Sequence, residues 1–488
     1  MSVISVDPRR KLGSLDRRVF GGFIEHLGRC IYGGIVEEGS PLSDERGFRL
    51  DVLELLKQLR ISQLRWPGGN FASNYRWQDG IGPKDSRPVR PEIAWGGTEP
   101  NRFGTNEFIE YCGALGAEPY ICLNMGSGTL EEALAWVEYC NLSTSTAWAE
   151  KRATDGFPSP HRVRYWGLGN EMYNNDQVGV MSAGEYIAEA TRWARAIRRV
   201  DPEVQLVACG LNGWSSWDRA VIDHLAGLVD MHSVHIYTGS ADYWTNVLAP
   251  HMAELAIVVC SAALRRARYM KRLPRAAKIA YDEWNIWDRK TQGGLEERFS
   301  FSDALAVATY LNIFVRNCFW VRMANIAQLV NVIAPVVTTA DGAEVQPIYY
   351  PFLLHSQGHL DEAVDVFVDG AVVELQEERL TPWPYRVREM GPFRLVDAAA
   401  TVDREGRRLA LTIVNRSEGE EKAEIRLHEH VFDAKVRART ITSAGRPTRV
   451  GALEQVDLSD STTPTHGNNF VMDLPARSFT LFEAGMDA

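Results

Sequence analysis

Cysteine is scarce in this 488-residue chain: seven residues, at positions 30, 112, 122, 140, 209, 260 and 318. The number is odd, no CxxC pair occurs, and several lie inside apolar periodic stretches, so they read as buried thiols in a reducing compartment. Long apolar runs are missing too. Nothing approaches the roughly 18 uninterrupted apolar residues of a membrane span, and residues 1–10 hold no apolar core of a secretory signal. Basic charge is also short: the formal net charge is −10, spread along the chain rather than gathered in a tail. A nucleic-acid partner would want a basic face, so that class is excluded. No repeat or low-complexity segment occurs. These absences predict a cytoplasmic protein with neither a nucleic-acid nor a membrane partner.

What is present is ordinary globular material, 45% hydrophobic and 24% charged, with no signature of disorder. The length allows up to three domains at about 150 residues each, although one α/β barrel can use roughly 300. From about residue 18 to 355, short apolar runs alternate with amphipathic stretches. Candidate strands cover 19–24, 61–66, 119–123, 163–168, 205–209, 233–236, 278–281 and 325–330. Leu53, Leu56 and Leu59 share one helix face. Thr129-Leu130-Glu131-Glu132 and Ser182-Ala183-Gly184-Glu185 open two further helices with capping boxes. Eight strands alternating with helices predict an α/β fold, a (β/α)₈ TIM barrel over 15–358. After that the pattern turns to strands alone. Val364–Val368, Asp369-Gly370 and Ala371–Leu375 read as a hairpin, and 409–415 and 478–482 continue the pattern. An all-β, jelly-roll-like sandwich is predicted over 359–488, with residues 1–14 adding an N-terminal strand to it.

Active sites of such barrels lie at the carboxyl ends of the strands. There the sequence delivers Glu25-His26, Gly68-Gly69-Asn70, Asn124, Asn170-Glu171, Tyr237, Glu283-Trp284-Asn285, and Gln328 with Asn331. Any one of these is more often a helix cap or a solvated loop residue. Their convergence on one rim suits a ligand rich in hydroxyls. Trp66, Trp95, Trp166, Trp284 and Trp287 would offer it apolar surface. Glu171 and Glu283, 112 residues apart after strands four and seven, are the pair that hydrolysis of a glycosidic bond requires. His232 and His235 are three apart on a strand and point to opposite faces, which is poor for chelation and reads as barrel packing. Gly167-Leu168-Gly169 lacks the third glycine of a dinucleotide site, and no Gly-Lys-Ser/Thr follows Gly68-Gly69. Neither a cofactor nor a metal is expected.

Several motifs together resemble the α-L-arabinofuranosidases of glycoside hydrolase family 51. They are Phe20-Gly21-Gly22-Phe23-Ile24-Glu25-His26-Leu27-Gly28-Arg29, Arg65-Trp66-Pro67-Gly68-Gly69-Asn70-Phe71, Gly167-Leu168-Gly169-Asn170-Glu171-Met172, Asp282-Glu283-Trp284-Asn285 and Asn325-Ile326-Ala327-Gln328-Leu329-Val330-Asn331. The resemblance implies a retaining exo-hydrolase that releases terminal α-L-arabinofuranosyl residues from oligosaccharides. Glu171 would be general acid/base and Glu283 nucleophile, with Glu25, Asn70, Asn170, Tyr237 and Gln328 on the sugar hydroxyls. It also implies a homo-oligomer, hexamers being frequent in the family. The chain departs from the family at Tyr237-Thr238, where two tyrosines are common, and in a shorter 287–301 segment. A β-D-galactofuranosidase or an endo-acting glucanase or xylanase of the same family is the alternative; a non-catalytic sugar-binding protein would have no use for both carboxylates. The retaining mechanism predicts carboxyl groups about 5 Å apart, one of them protonated near neutral pH.

Overall fold

A computed structural model describes residues 1–143, 145–287, 294–375, 387–433, 435–445, 453–465 and 467–487. Eight parallel strands close into a barrel: Gly21–Phe23, Gln63–Trp66, Glu118–Cys122, Tyr165–Leu168, Gln205–Ala208, Met231–Thr238, Lys278–Ile286 and Val321–Ala327, called strands one to eight below. Each matches one of the eight expected segments, with shifted ends. Residues 19 and 20, expected to open strand one, belong instead to a 3-10 turn over Arg17–Phe20, which Asp16 caps by accepting from the Arg18 N–H at 3.2 Å. Strands six and seven run longer than expected. Tyr237 and Glu283 are therefore strand residues rather than residues just past a strand.

Several helices start where a side chain satisfies the free N–H groups. Thr129 and Ser182 accept from the backbone of Glu132 and Glu185, whose carboxylates return the bond, so both capping boxes are present. Helix Phe301–Arg316 is buried almost all round because it is packed on both sides. One face meets the barrel. The other carries Ala304, Leu305 and Ala308 against Val414, Phe479 and Leu481 of the second layer.

That layer is a ten-stranded sheet wrapped around Ile4, Val6, Leu411, Ile425, Phe470 and Phe482. The strand Ser2–Ser14 pairs antiparallel with Glu362–Asp369 and parallel with Glu421–Leu427. Its alternating sequence buries every second residue from Ser2 to Pro8, as a half-buried strand should. The hairpin expected at 364–375 does not form. One edge of Glu362–Asp369 is taken along its length by the N-terminal strand, and the other, at Glu362–Val364, by Val396–Val402. Val372–Val373 pairs instead with Phe393–Arg394.

Inside the barrel, Tyr120, Tyr165, Val207, Met231, Ala280 and Met323 form a closed apolar floor. Charged side chains occupy the layer above it. This stacking puts the chemistry at the carboxyl ends of the strands, over a dry base that lowers the local dielectric.

Candidate active site

Strand seven carries the deciding irregularity. Ala280 pairs with Ser233 and Glu283 with His235, so three steps on one strand match two on its neighbour. Such a bulge inserts one residue and re-aims the side chains after it. Asp282 and Glu283 both reach the interior as a result, although neighbours on a regular strand point opposite ways.

Arg65 rises from strand two into this layer with its side chain 1% exposed. It donates to Glu283 Oε1 at 2.7 Å, to Asn170 Oδ1 at 2.6 Å and to the Asp282 carbonyl at 3.2 Å. Asp282 also accepts from the hydroxyls of Tyr120, at 2.8 Å, and Ser233. Its carboxyl is held far below the usual range, since Arg65 and His235 outweigh the opposing effect of burial.

Strand six presents Ser233, His235 and Tyr237 on one face and His232 on the other. His232 bonds Asp218 at 2.8 Å, a packing role. His235 is different: its Nδ1 lies 2.9 Å from Glu171 Oε1 and 3.6 Å from Glu283 Oε2, and its Nε2 lies 3.3 Å from Asp282 Oδ1. Burial alone would lower its proton affinity, but Glu283 and Asp282 overcome this and lift the imidazole to about 10. Burial would likewise raise Glu171, yet the His235 bond and charge leave that carboxyl below its ordinary range. His235 thus stands as a proton carrier in direct contact with Glu171. Tyr237 donates to Glu283 Oε2 at 2.8 Å.

One donor atom each of Glu171, His235 and Glu283 lies within 4.8 Å of the others. That spacing would admit a small cation, but these groups are engaged with one another and with Arg65, which already supplies positive charge. The arrangement suits proton transfer beside a nucleophile.

Glu25 lines the opposite wall. Its Oε1 accepts from the Phe71 N–H and from Trp95 Nε1, both at 3.0 Å, and its Oε2 from Gln328 Nε2 at 3.2 Å. Burial, reinforced by the negative charge of Glu283, pushes its carboxyl up to about 7 despite those donors. The floor between the walls is Gly69, where a Cβ would sit 3.2 Å from Glu283 Oε1 and 3.3 Å from Asn170 Nδ2. A Cβ on Gly68 would lie 2.5 Å from Glu25 Cγ. Gly68-Gly69 thus does more than turn the chain; it keeps the pocket open.

Glu25, Asn170, Glu171, Tyr237, Glu283 and Gln328 are brought together as expected from the strand ends. Asn70 stands beside them on the rim and accepts from Gln177 Nε2 at 2.8 Å. Asn170 Nδ2 and Gln328 Oε1 are buried without a protein partner, a donor and an acceptor free for a ligand. Asn124 is a loop organiser, accepting from the N–H groups of Gly126, Ser127 and Gly128. Asn331 likewise ties down Thr338. Of the five tryptophans, Trp66, Trp166 and Trp284 are completely buried core, because their strand positions face the helices. Trp95, 42% exposed, and Trp287, packed on Tyr237, are the two at the site. Arg65, His235 and Asp282 escaped the sequence reading as functional residues. A lone arginine in an apolar strand was the available signal for the first, and the two-residue spacing to Tyr237 for the second.

From Glu171 and Tyr237 a cleft of about 1450 Å³ opens past Trp214 and Trp287 toward the second layer.

Comparison with known proteins agrees with this geometry. Residues 55–249 match the α-L-arabinofuranosidase 1 domain and residues 282–478 the α-L-arabinofuranosidase C-terminal domain. α-L-Arabinofuranosidase C of Emericella nidulans is 44% identical over 421 residues, 83% of this chain and 82% of its own length. The chain belongs to the α-L-arabinofuranosidases of glycoside hydrolase family 51. An intracellular exo-α-(1→5)-L-arabinofuranosidase of Halalkalibacterium halodurans is 36% identical over 85% of each chain. The Thermotoga maritima arabinofuranosidase, solved as an arabinose complex, superposes with a TM-score of 0.90 at 37% identity, covering 99% of this chain and 100% of that one. The barrel and sandwich are thus the family's architecture, and hydrolysis of α-L-arabinofuranosides is the activity of this enzyme.

Proposed function

We propose that the enzyme is a retaining exo-hydrolase in which Glu283 is the nucleophile and Glu171 the general acid/base. The observation that carries this reading is the approach of the two carboxylates, one oxygen of each lying within 4.8 Å of the other. Retaining enzymes hold the pair about 5–5.5 Å apart, whereas inverting ones leave about 6.5–9.5 Å for a water. Glu283, oriented by Arg65 and Tyr237, attacks the anomeric carbon as the bond to the leaving oxygen breaks. Glu171 gives that oxygen a proton, which His235 can pass to it across 2.9 Å. A glycosyl ester on Glu283 results. Glu171, again a carboxylate, then takes a proton from the water that attacks the ester, and Glu283 is released.

Glu25, Asn70, Asn170, Tyr237 and Gln328 hold the hydroxyls of the terminal arabinofuranose. The unpartnered Asn170 Nδ2 and Gln328 Oε1 support this, since a hydroxyl both accepts and donates. Terminal arabinofuranosyl units of arabino-oligosaccharides, including 1,5-linked ones, are the proposed substrates, supported by the exo-α-(1→5) activity in the name of the Halalkalibacterium halodurans relative. That relative is named intracellular, which supports a cytoplasmic setting, as do seven cysteines that are all buried and unpaired. Assembly into a homo-oligomer is supported by the outward face of helix His251–Lys271, where Leu255, Val258 and Val259 are exposed. Light scattering of the purified protein tests it.

Replacing each glutamate tests the roles. Glu283→Ala should abolish hydrolysis of every arabinofuranoside. Glu171→Ala should spare aryl arabinosides with good leaving groups far more than oligosaccharides, because those groups depart without a proton. Equal losses on both substrate types, or a first-formed product of inverted anomeric configuration by NMR, would overturn the assignment.

A further inference from the structure

We propose that Asn174 is a positioning residue that sets the proton affinity of Glu171 and thereby the alkaline limit of hydrolysis. The inference rests on the reading of Glu171 as acid/base. Asn174 lies three residues past Glu171 in the loop after strand four, and its backbone N–H donates to the Glu171 carbonyl at 2.7 Å. Its side-chain Nδ2 donates to Glu171 Oε2 at 3.3 Å, while its Oδ1 accepts from the Asp176 N–H at 3.1 Å. The second bond decides the orientation of the amide. With the carbonyl end committed to a backbone donor, the NH₂ end must face Glu171. An NH₂ group can only donate, so it favours the ionised carboxylate over the acid.

The other charged groups around Glu171 come from inside the barrel. They are His235 on strand six, Asp282 and Glu283 on strand seven, and Arg65 on strand two. Tyr173, in the same loop as Asn174, also donates its hydroxyl to the Glu171 carboxylate, and the hydroxyl of Tyr237 and the thiol of Cys209 complete the surroundings. Asn174 instead reaches Glu171 from the loop side, lining the cleft where the leaving group departs. His235 serves Glu171 Oε1, and Asn174 serves Oε2. Glu171 has to be an acid in the first half-reaction and a base in the second, and a pure donor tips it toward the base. The price is earlier loss of the acid as pH rises.

A turn-forming role needs only the Oδ1 atom, and aspartate would fill it equally well. Asn174→Asp therefore preserves the loop while putting an anion where the donor stood. The test is the pH profile of kcat/KM on arabinotriose and on a nitrophenyl arabinofuranoside. It compares wild type, Asn174→Asp, Asn174→Ala and Glu171→Gln, with melting curves to verify folding. On arabinotriose the alkaline limb should move up by about one pH unit or more in Asn174→Asp, and by less in Asn174→Ala. The nitrophenyl substrate, which needs little protonation, should change little. An alkaline limb at the wild-type position in both folded variants, or a uniform loss at every pH, would overturn the proposal. Glu171→Gln separates the two readings. If it keeps full activity on arabinotriose, the acid/base assignment itself is wrong; if it loses activity while the Asn174 limbs stay put, only the role of Asn174 fails.

Discussion

Arg65 is the charge on which the buried acidic layer depends, and removing it gives the sharpest test of how that layer is held. In Arg65→Met the side chain keeps similar length and fills the same space. Glu283 and Asp282 then lose a cation whose nitrogens lie 2.7 and 3.6 Å from their oxygens. At an effective dielectric of 20, two charges about 4 Å apart attract by about 4 kcal/mol. Breaking a buried pair from one side costs about 3–5 kcal/mol, much of it for the charge left unpaired. His235 remains as the nearby cation, so the lower half of that range, about 3–4 kcal/mol, is expected for the variant at pH 7. Urea unfolding at pH 7 measures it.

The partner Glu283→Gln isolates the electrostatic part. If the destabilisation comes from an orphaned carboxylate, Arg65→Met in the Glu283→Gln background should cost at least about 1 kcal/mol less than in wild type, within the range of coupling between contacting residues. The sign with pH follows from Asp282. Its folded carboxyl is depressed, so it contributes stability above its unfolded value that is lost as pH falls through the folded one. Arg65 is a cause of that depression, so the gap between wild type and Arg65→Met should narrow as pH falls below about 4 toward pH 2. Additive single and double mutants with a gap independent of pH would refute the reasoning. Arg65 would then act by packing over Phe23, where its guanidinium lies 4.5 Å from the ring centroid.

Three further outcomes are expected. His235 is lifted from 6.5 to about 10; its contribution is complete below pH 6.5 and lost as pH rises through about 10, so the decline in wild-type stability over that window should flatten in His235→Gln, read by thermal melting. Gly69→Ala should cut kcat/KM about 100-fold, the scale of a misplaced catalytic group, since its Cβ would stand 3.2 Å from Glu283 Oε1; binding of arabinose by calorimetry should weaken in parallel, and unchanged kinetics would count against a glycine-floored pocket. Exhaustive chelation should leave activity intact because Arg65 and His235 supply the positive charge; loss of activity restored by a divalent ion would show that Glu171, His235 and Glu283 serve a metal instead.

Much of the architecture was legible in local pattern. Apolar runs at the barrel period and the two capping boxes follow from contacts between residues a few positions apart, and these survive intact. Reading stopped at the hairpin of 364–375, because the strand's partner lay more than 350 residues away, at the N-terminus. It stopped again at the tryptophans. Being aromatic near a strand end does not tell whether a ring faces the pocket or the surrounding helices; Trp66 stacks on Phe108, in the neighbouring helix.

The site divides in the same way. The chain itself determined that carboxylates come at the ends of strands four and seven and that amides and a phenol reach the same rim, since strand count and order are written along it. Only the tertiary structure decided what those groups do. The bulge in strand seven turned Glu283 inward beside Asp282, and barrel closure carried it to within reach of Glu171. Arg65 and His235 arrived from strands two and six to share the charge. How a proton is shared between His235 and Glu171 follows from distances of about three ångströms between residues far apart in sequence. Electrostatic energy depends on such separations and on burial, and neither exists until the barrel closes.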